Sequence, residues 1–194
     1  MPLATTRREA GFAQQVIPAL MPHFNIHTEV HGTHPTGRRL RIDAVAVPRS
    51  PDGWSRSDIA LGIEFKAPSE REDQRRERKG NAKIICQCID YTLTDWDGFG
   101  YLPIFFCPGF AESRAVESRA FDFFADAKDY NEGFRHGIGF MMQAILGQSN
   151  AGELIHSDHL GWAFVINGHH RIWTEKYGIG EGSRNKLLRF IGSR

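Results

Sequence analysis

Apolar and polar positions along this chain change their period several times, and each change marks an element. From Thr6 to Leu20 the apolar residues Ala10, Phe12, Ala13, Val16, Ile17 and Leu20 fall on one side of a 3.6-residue repeat, which predicts a helix. Thr5 or Thr6 is its N-cap, Glu9 stands three residues after Thr6 as in a capping box, and Pro22 ends it. Phe24 to Thr33 reads as a strand, and Gly32 to Gly37 as the turn into a second one, RRLRIDAVAVP. A polar insert, Arg49 to Ser57, carries the turn signal Pro51-Asp52-Gly53. A third strand, Ile59 to Lys66, is stopped by Pro68.

Ser69 to Gly80 is dense in charge of both signs and fits either a helical turn or a segment that orders on binding. A helix is predicted over Asn81 to Trp96, with Ile84, Ile85, Cys88, Ile89 and Leu93 on its buried side. Tyr101 to Cys107 is a continuous apolar run and predicts a buried strand. Glu112 to Lys128 predicts a helix, and Phe134 to Leu146 fits helix or strand. GWAFVI and HHRIWTE flank Asn167-Gly168, the strongest short signal for a β-hairpin. The pattern as a whole predicts an α/β protein. A mixed central β-sheet is flanked by helices, and a C-terminal β-hairpin follows. Residues 1–194 read as one domain, with a core over about 7–130 and an extension over about 131–194.

Two of these strands present acidic residues. Alternation puts Glu64 and Lys66 on one face of theirs, opposite Ile63 and Phe65, and groups Asp43 with Arg41 and Val45. If the strands are neighbours, Asp43 and Glu64 converge. Two carboxylates about one point make a hard-oxygen site that suits Mg²⁺ or Mn²⁺ and leaves room for water and phosphate oxygens. Lys66 beside them can orient a water or stabilise charge developing on a phosphate. Together they point to metal-assisted phosphodiester hydrolysis. On the following helix Lys83, Gln87 and Tyr91 recur at i, i+4 and i+8, a polar stripe opposite the buried side.

This order of motifs resembles the PD-(D/E)XK nuclease superfamily. Asp43 matches its aspartate and Glu64-Phe65-Lys66 its ExK. Gln87-Cys-Ile-Asp-Tyr91 matches the QxxxY of the RecB-like and lambda-exonuclease-like branch. Ile42 stands where the motif proline would be, and 20 residues (44–63) separate Asp43 from Glu64. The resemblance covers roughly Arg7 to Phe106. It implies a restriction-endonuclease-like core and a Mg²⁺- or Mn²⁺-dependent deoxyribonuclease. Asp43, Glu64 and the backbone carbonyl of Phe65 would hold the metal, and Lys66 would assist the nucleophile. Gln87 and Tyr91 would support the site or touch DNA. A further acidic ligand would be Glu9 or Glu29. The setting would be repair, recombination, phage replication or defence, as a stand-alone enzyme, a homo-oligomer or a subunit of a nuclease complex. The alternative is a protein of the same fold that has lost cleavage and binds nucleic acid or protein as an inhibitor or regulatory subunit.

Composition adds limits. With 24 Lys and Arg against 23 Asp and Glu, the net charge is +1, so the chain as a whole has no basic footprint. The basic residues cluster instead. Arg38, Arg39 and Arg41 form one group, and Arg75, Arg76, Arg78, Lys79 and Lys83 another, and both flank the acidic site as candidate nucleic-acid contacts. No apolar run approaches the ~20 residues that span a membrane, and the N-terminus lacks the apolar stretch of a signal peptide, so a cytoplasmic protein without a membrane partner is expected. Cys86, Cys88 and Cys107 are odd in number and read as reduced thiols. The set of cysteines that would hold the cluster of the Cas4-like members of the superfamily it resembles is missing. His27 and His31 share a strand face but stand ~13 Å apart, too far for one metal.

Overall fold

The computed structural model describes residues 13–54, 58–66, 74–107, 150–157, 159–166 and 170–179, with backbone alone for 74–82, 157 and 170. Helix α1 (residues 13–20) leads into a hairpin of β1 (Phe24–Thr33) and β2 (Arg39–Pro48). Its turn closes with the N–H of Gly37 donating to the carbonyl of His34 at 2.8 Å. Gly37 takes φ 81°, which a side chain would resist. Next come β3 (Leu61–Phe65), helix α2 (Gln74–Thr92), the two-residue β4 (Asp95–Trp96) and β5 (Ile104–Cys107). Four strands close the described chain: β6 (Ala151–Ser157), β7 (Gly161–Ile166), β8 (His170–Thr174) and β9 (Gly178–Ile179).

These nine strands form one sheet in the order β4-β1-β2-β3-β5-β6-β7-β8-β9. The run from β4 to β3 is antiparallel. β3, β5 and β6 run parallel, and β6 to β9 are antiparallel again. The protein is thus α/β with a mixed sheet, as the hydrophobic pattern predicts. The C-terminal hairpin is β7–β8, and it is part of the main sheet, because β6 pairs with β5 on one side and β7 on the other. Its Asn167-Gly168 turn and the segments Glu112–Lys128 and Phe134–Leu146 lie outside the described residues. So does Glu9.

Each face of the sheet has its own core. On one, Val16 and Leu20 of α1 pack with Phe24, Ala44, Ala46, Leu61, Ile63, Phe65, Phe105, Leu154, Phe164 and Trp173. Edge-on ring contacts join it: Phe24 lies 4.8 Å from Trp173, and Phe105 4.9 Å from Phe164. On the other, Ile85, Cys88 and Tyr91 of α2 cover Ile42, Val45, Ile104, Phe106 and Ala151. The acidic residues lie toward this second core. No helix among the described residues is long and apolar enough to cross a membrane.

Helix α2 begins at Gln74, earlier than Asn81, so much of the charged segment is helical. Its run of Gln, Arg, Glu and Lys is made of good helix formers, which outweighs the absence of an apolar period. It ends at Thr92 rather than Trp96. The Thr94 hydroxyl donates to the carbonyl of Asp90 at 2.8 Å, and the Trp96 indole N–H donates to that of Tyr91 at 3.1 Å. These bonds satisfy carbonyls that the stopped helix leaves over.

Candidate active site

All five residues of β3 are buried, since β2 and β5 flank it and a helix covers each face. Alternation sends Ile63 and Phe65 into the α1 core and Glu64 toward α2, leaving Glu64 5% exposed. A carboxylate buried to that extent needs partners. Lys66 Nζ and Gln87 Nε2 both donate to its Oε1, the second at 2.7 Å. Its Oε2 is also buried and has no hydrogen-bond partner among the described residues. Burial pushes the Glu64 carboxyl up to about 7, against the pull of the Lys66 ammonium.

The relay continues through α2. Gln87 Nε2 also donates to the Tyr91 hydroxyl at 2.8 Å, and that hydroxyl donates to the carbonyl of Arg41 at 2.9 Å. Burial, with the nearby Glu64 charge, pushes the Tyr91 phenol up to about 12, so it keeps its proton for that carbonyl. With its proton committed, Tyr91 accepts from Gln87, and this sets which way the Gln87 amide points. One helical stripe thereby fixes the rotamer of Glu64. Lys83, at the start of the stripe, is exposed.

Asp43 reaches the site differently. Its Oδ2 accepts the backbone N–H of Phe65 at 2.8 Å, across from β2 to β3. The regular β2–β3 pairing runs from Ala46↔Leu61 to Ala44↔Ile63. Beyond it the Asp43 side chain takes an N–H of β3. Strict alternation does not hold here. Ala44 and Ala46 face the α1 core, whereas Ile42 and Val45, three apart, both face the α2 core. β1 switches in the same place: Phe24 and Ile26 pack on the α1 side, Val30 on the other. The β1–β2 pairs run regularly on both sides of Glu29 and Asp43 but omit that pair, and Glu29 has φ 54°.

The structure thus brings Asp43, Glu64, Lys66, Gln87 and Tyr91 together. Glu29 is exposed, and its carboxylate lies 3.0 Å from Arg41 Nη1. Each arginine of the first basic group is paired: Arg38 with Asp90 at 2.9 Å, Arg39 with Asp97, Arg41 with Glu29. Arg75, Arg76, Arg78 and Lys79 lie in α2 where backbone alone is described. One buried acid escapes the sequence patterns. Glu153, 2% exposed on β6, lies in register with Glu64 across Phe106. Its charge and that of Glu64 add to the burial that pushes the Cys88 thiol up to about 12. Cys86 is exposed and Cys88 buried.

Among the described residues no group of three or more His, Cys, Asp and Glu side chains stands ready to hold a metal ion. A divalent cation here would rest on two carboxylates and a carbonyl: Asp43, Glu64 and Phe65. That set is all hard oxygen, and the buried Oε2 of Glu64 has no hydrogen-bond partner among the described residues, so the residues present fit Mg²⁺ or Mn²⁺. Comparison with protein-family models, curated proteins and solved structures finds no match to this chain.

Proposed function

We propose that this protein is a Mg²⁺- or Mn²⁺-dependent deoxyribonuclease built on a restriction-endonuclease-like core of the PD-(D/E)XK kind. One observation carries the reading. Glu64, buried on a central strand, has one oxygen held by Lys66 and Gln87 and the other buried with no hydrogen-bond partner among the described residues. A structural carboxylate would gain from satisfying both oxygens. A ligand carboxylate keeps one in reserve.

Asp43, Glu64 and the Phe65 carbonyl would hold the cation, which when bound supplies Lewis-acid chemistry at a phosphate. The chain's own residues do the rest. Lys66, which donates to Glu64 Oε1, would orient a water and offset charge on the scissile phosphate. Gln87 holds the Glu64 carboxylate in one rotamer, and Tyr91 holds Gln87. DNA is the proposed partner, met at the arginine-rich start of β2.

The test is incubation of linear and circular DNA with Mg²⁺, Mn²⁺ or EDTA, beside the Glu64→Ala protein. Metal-dependent cleavage by the wild type alone is expected, and loss of linear DNA only would mark an exonuclease. Failure of the wild type to cut either form would overturn the enzyme reading. Preserved binding in that case would identify a non-cleaving nucleic-acid-binding protein.

A further inference from the structure

We infer that Glu29 is a positioning residue whose left-handed backbone, rather than its carboxylate, aims Asp43 at β3. This rests on the nuclease reading above. Three features meet at this residue. Glu29 lies inside strand β1 with φ 54°, a conformation ordinary for glycine, asparagine and aspartate and uncommon for glutamate. The pairing of β1 with β2 runs from Phe24↔Pro48 to Thr28↔Ala44 and from Val30↔Ile42 to Thr33↔Arg39, and leaves out Glu29 with Asp43 alone. Across the same point both strands exchange the faces of their side chains, so each strand spends one residue on the reversal.

The reversal has a geometric result. With Ile42 and Val45 both on the α2 side, Asp43 is held between them and turned within the sheet toward the Phe65 N–H. The same bend accompanies the end of the β2–β3 ladder at Ala44 and leaves the Arg41 carbonyl to the Tyr91 hydroxyl. Regular alternation through Asp43 would move Ile42 to the opposite core. The Glu29 carboxylate itself is exposed and meets Arg41 at 3.0 Å, so its side chain braces the bend from the solvent side. Strain of this kind persists where the surroundings impose it, and it gathers at functional sites.

The test is a series at one position: Glu29→Asp, Glu29→Asn, Glu29→Gly, Glu29→Ala and Glu29→Val. Two quantities are read for each folded variant: Mg²⁺-dependent DNA cleavage across a Mg²⁺ titration, and hydrogen-exchange protection of the Phe65 amide by NMR. A backbone role predicts that both follow tolerance of positive φ. Gly and Asn should retain them, Ala should fall below Asn, and Val should cleave at least about tenfold more slowly than Gly, with Phe65 protection lost in parallel. Should Val fail to fold, Ala against Asn decides, since both lack the charge. Retention by Asp with loss in Gly and Asn would make the carboxylate a ligand and overturn the inference. Equal behaviour of Gly, Asn, Ala and Val would overturn it too. If the wild type shows no metal-dependent cleavage, the nuclease reading falls, while the ranking of Phe65 protection still tests the role of Glu29.

Discussion

Tyr91 donates its hydroxyl proton to the backbone carbonyl of Arg41 at 2.9 Å, joining the far end of α2 to the strand that carries Asp43. The same oxygen accepts from Gln87, which holds Glu64. One phenol therefore ties the two acidic strands together through the helix above them.

Tyr91→Phe removes that tie without emptying the core. It leaves the Arg41 carbonyl and one Gln87 N–H short of a partner, which costs roughly 1–3 kcal/mol. The urea midpoint should fall accordingly with the fold intact. Cleavage should fall about tenfold through the rate rather than through DNA affinity, because Glu64 loses a fixed rotamer. Wild-type cleavage rates in a destabilised Tyr91→Phe variant would confine Tyr91 to a structural part.

Lys66→Met tests the ammonium. Cleavage should drop on the order of 10³-fold, in the range that loss of one preorganised charge-stabilising donor costs. DNA binding and the circular dichroism spectrum should change little. Cleavage at an undiminished rate would take Lys66 out of the mechanism.

The pH dependence of stability follows from Glu64. Its carboxyl is held at about 7 in the folded protein against an ordinary 4.5. Between those values the folded state keeps a proton that the unfolded state has lost, so metal-free stability declines as pH rises through this window and levels off above it. The total is on the order of 3 kcal/mol. A divalent cation favours the carboxylate, so Mg²⁺ should raise the melting temperature more at about pH 8 than at about pH 5.5. Equal Mg²⁺ shifts at both values would count against Glu64 as the ligand.

Gly152→Ala examines the parallel centre of the sheet. A Cβ there would run into the carbonyl oxygen of Val165 on β7 and stand 2.9 Å from the Phe105 ring. Backbone cannot yield as a flexible side chain can, so the variant should lose about 1–3 kcal/mol or more, as overpacked cores do. Thermal melting measures it, and an unchanged melting temperature would mean that β6 and β7 pack more loosely than described.

Arg39→Gln addresses the DNA surface. Arg39 is exposed and engages Asp97 and Thr33. If DNA phosphate takes its place beside Arg39, the substitution should weaken binding evenly across sequences and reduce the salt slope by about 1. A slope identical to wild type would place the DNA path elsewhere.

Much of the site was legible because its residues obey short-range rules. The spacing of Glu64 and Lys66 on a strand, and of Gln87 and Tyr91 on a helix, decides which faces they share, whatever the rest of the fold does. The boundaries of α2 were less legible. Its start hides in a charged run with no apolar period, and its end depends on Thr94 and Trp96 reaching back. The bend at Glu29 and Asp43 was hidden for a different reason. FNIHTEVHGT is mostly polar, and a weak alternation cannot reveal where it inverts. Glu153 was missed because its neighbour in register, Phe106, is brought beside it only by pairing distant strands. The partners of Arg38 and Arg39, 52 and 58 residues away, are likewise set by tertiary structure alone.

The bend at Glu29 also bears on how this chain keeps to itself. β4 covers β1 only at Gly32 and Thr33, so among the described residues the remaining outer side of β1 has no strand beside it. A long flat edge of that kind is a template for pairing with another molecule. A left-handed residue midway along it, carrying a charge, interrupts the row of backbone groups that an incoming strand would need. The geometry that orients a carboxylate on one side of β2 thus serves, on the other side of β1, as a guard against aggregation.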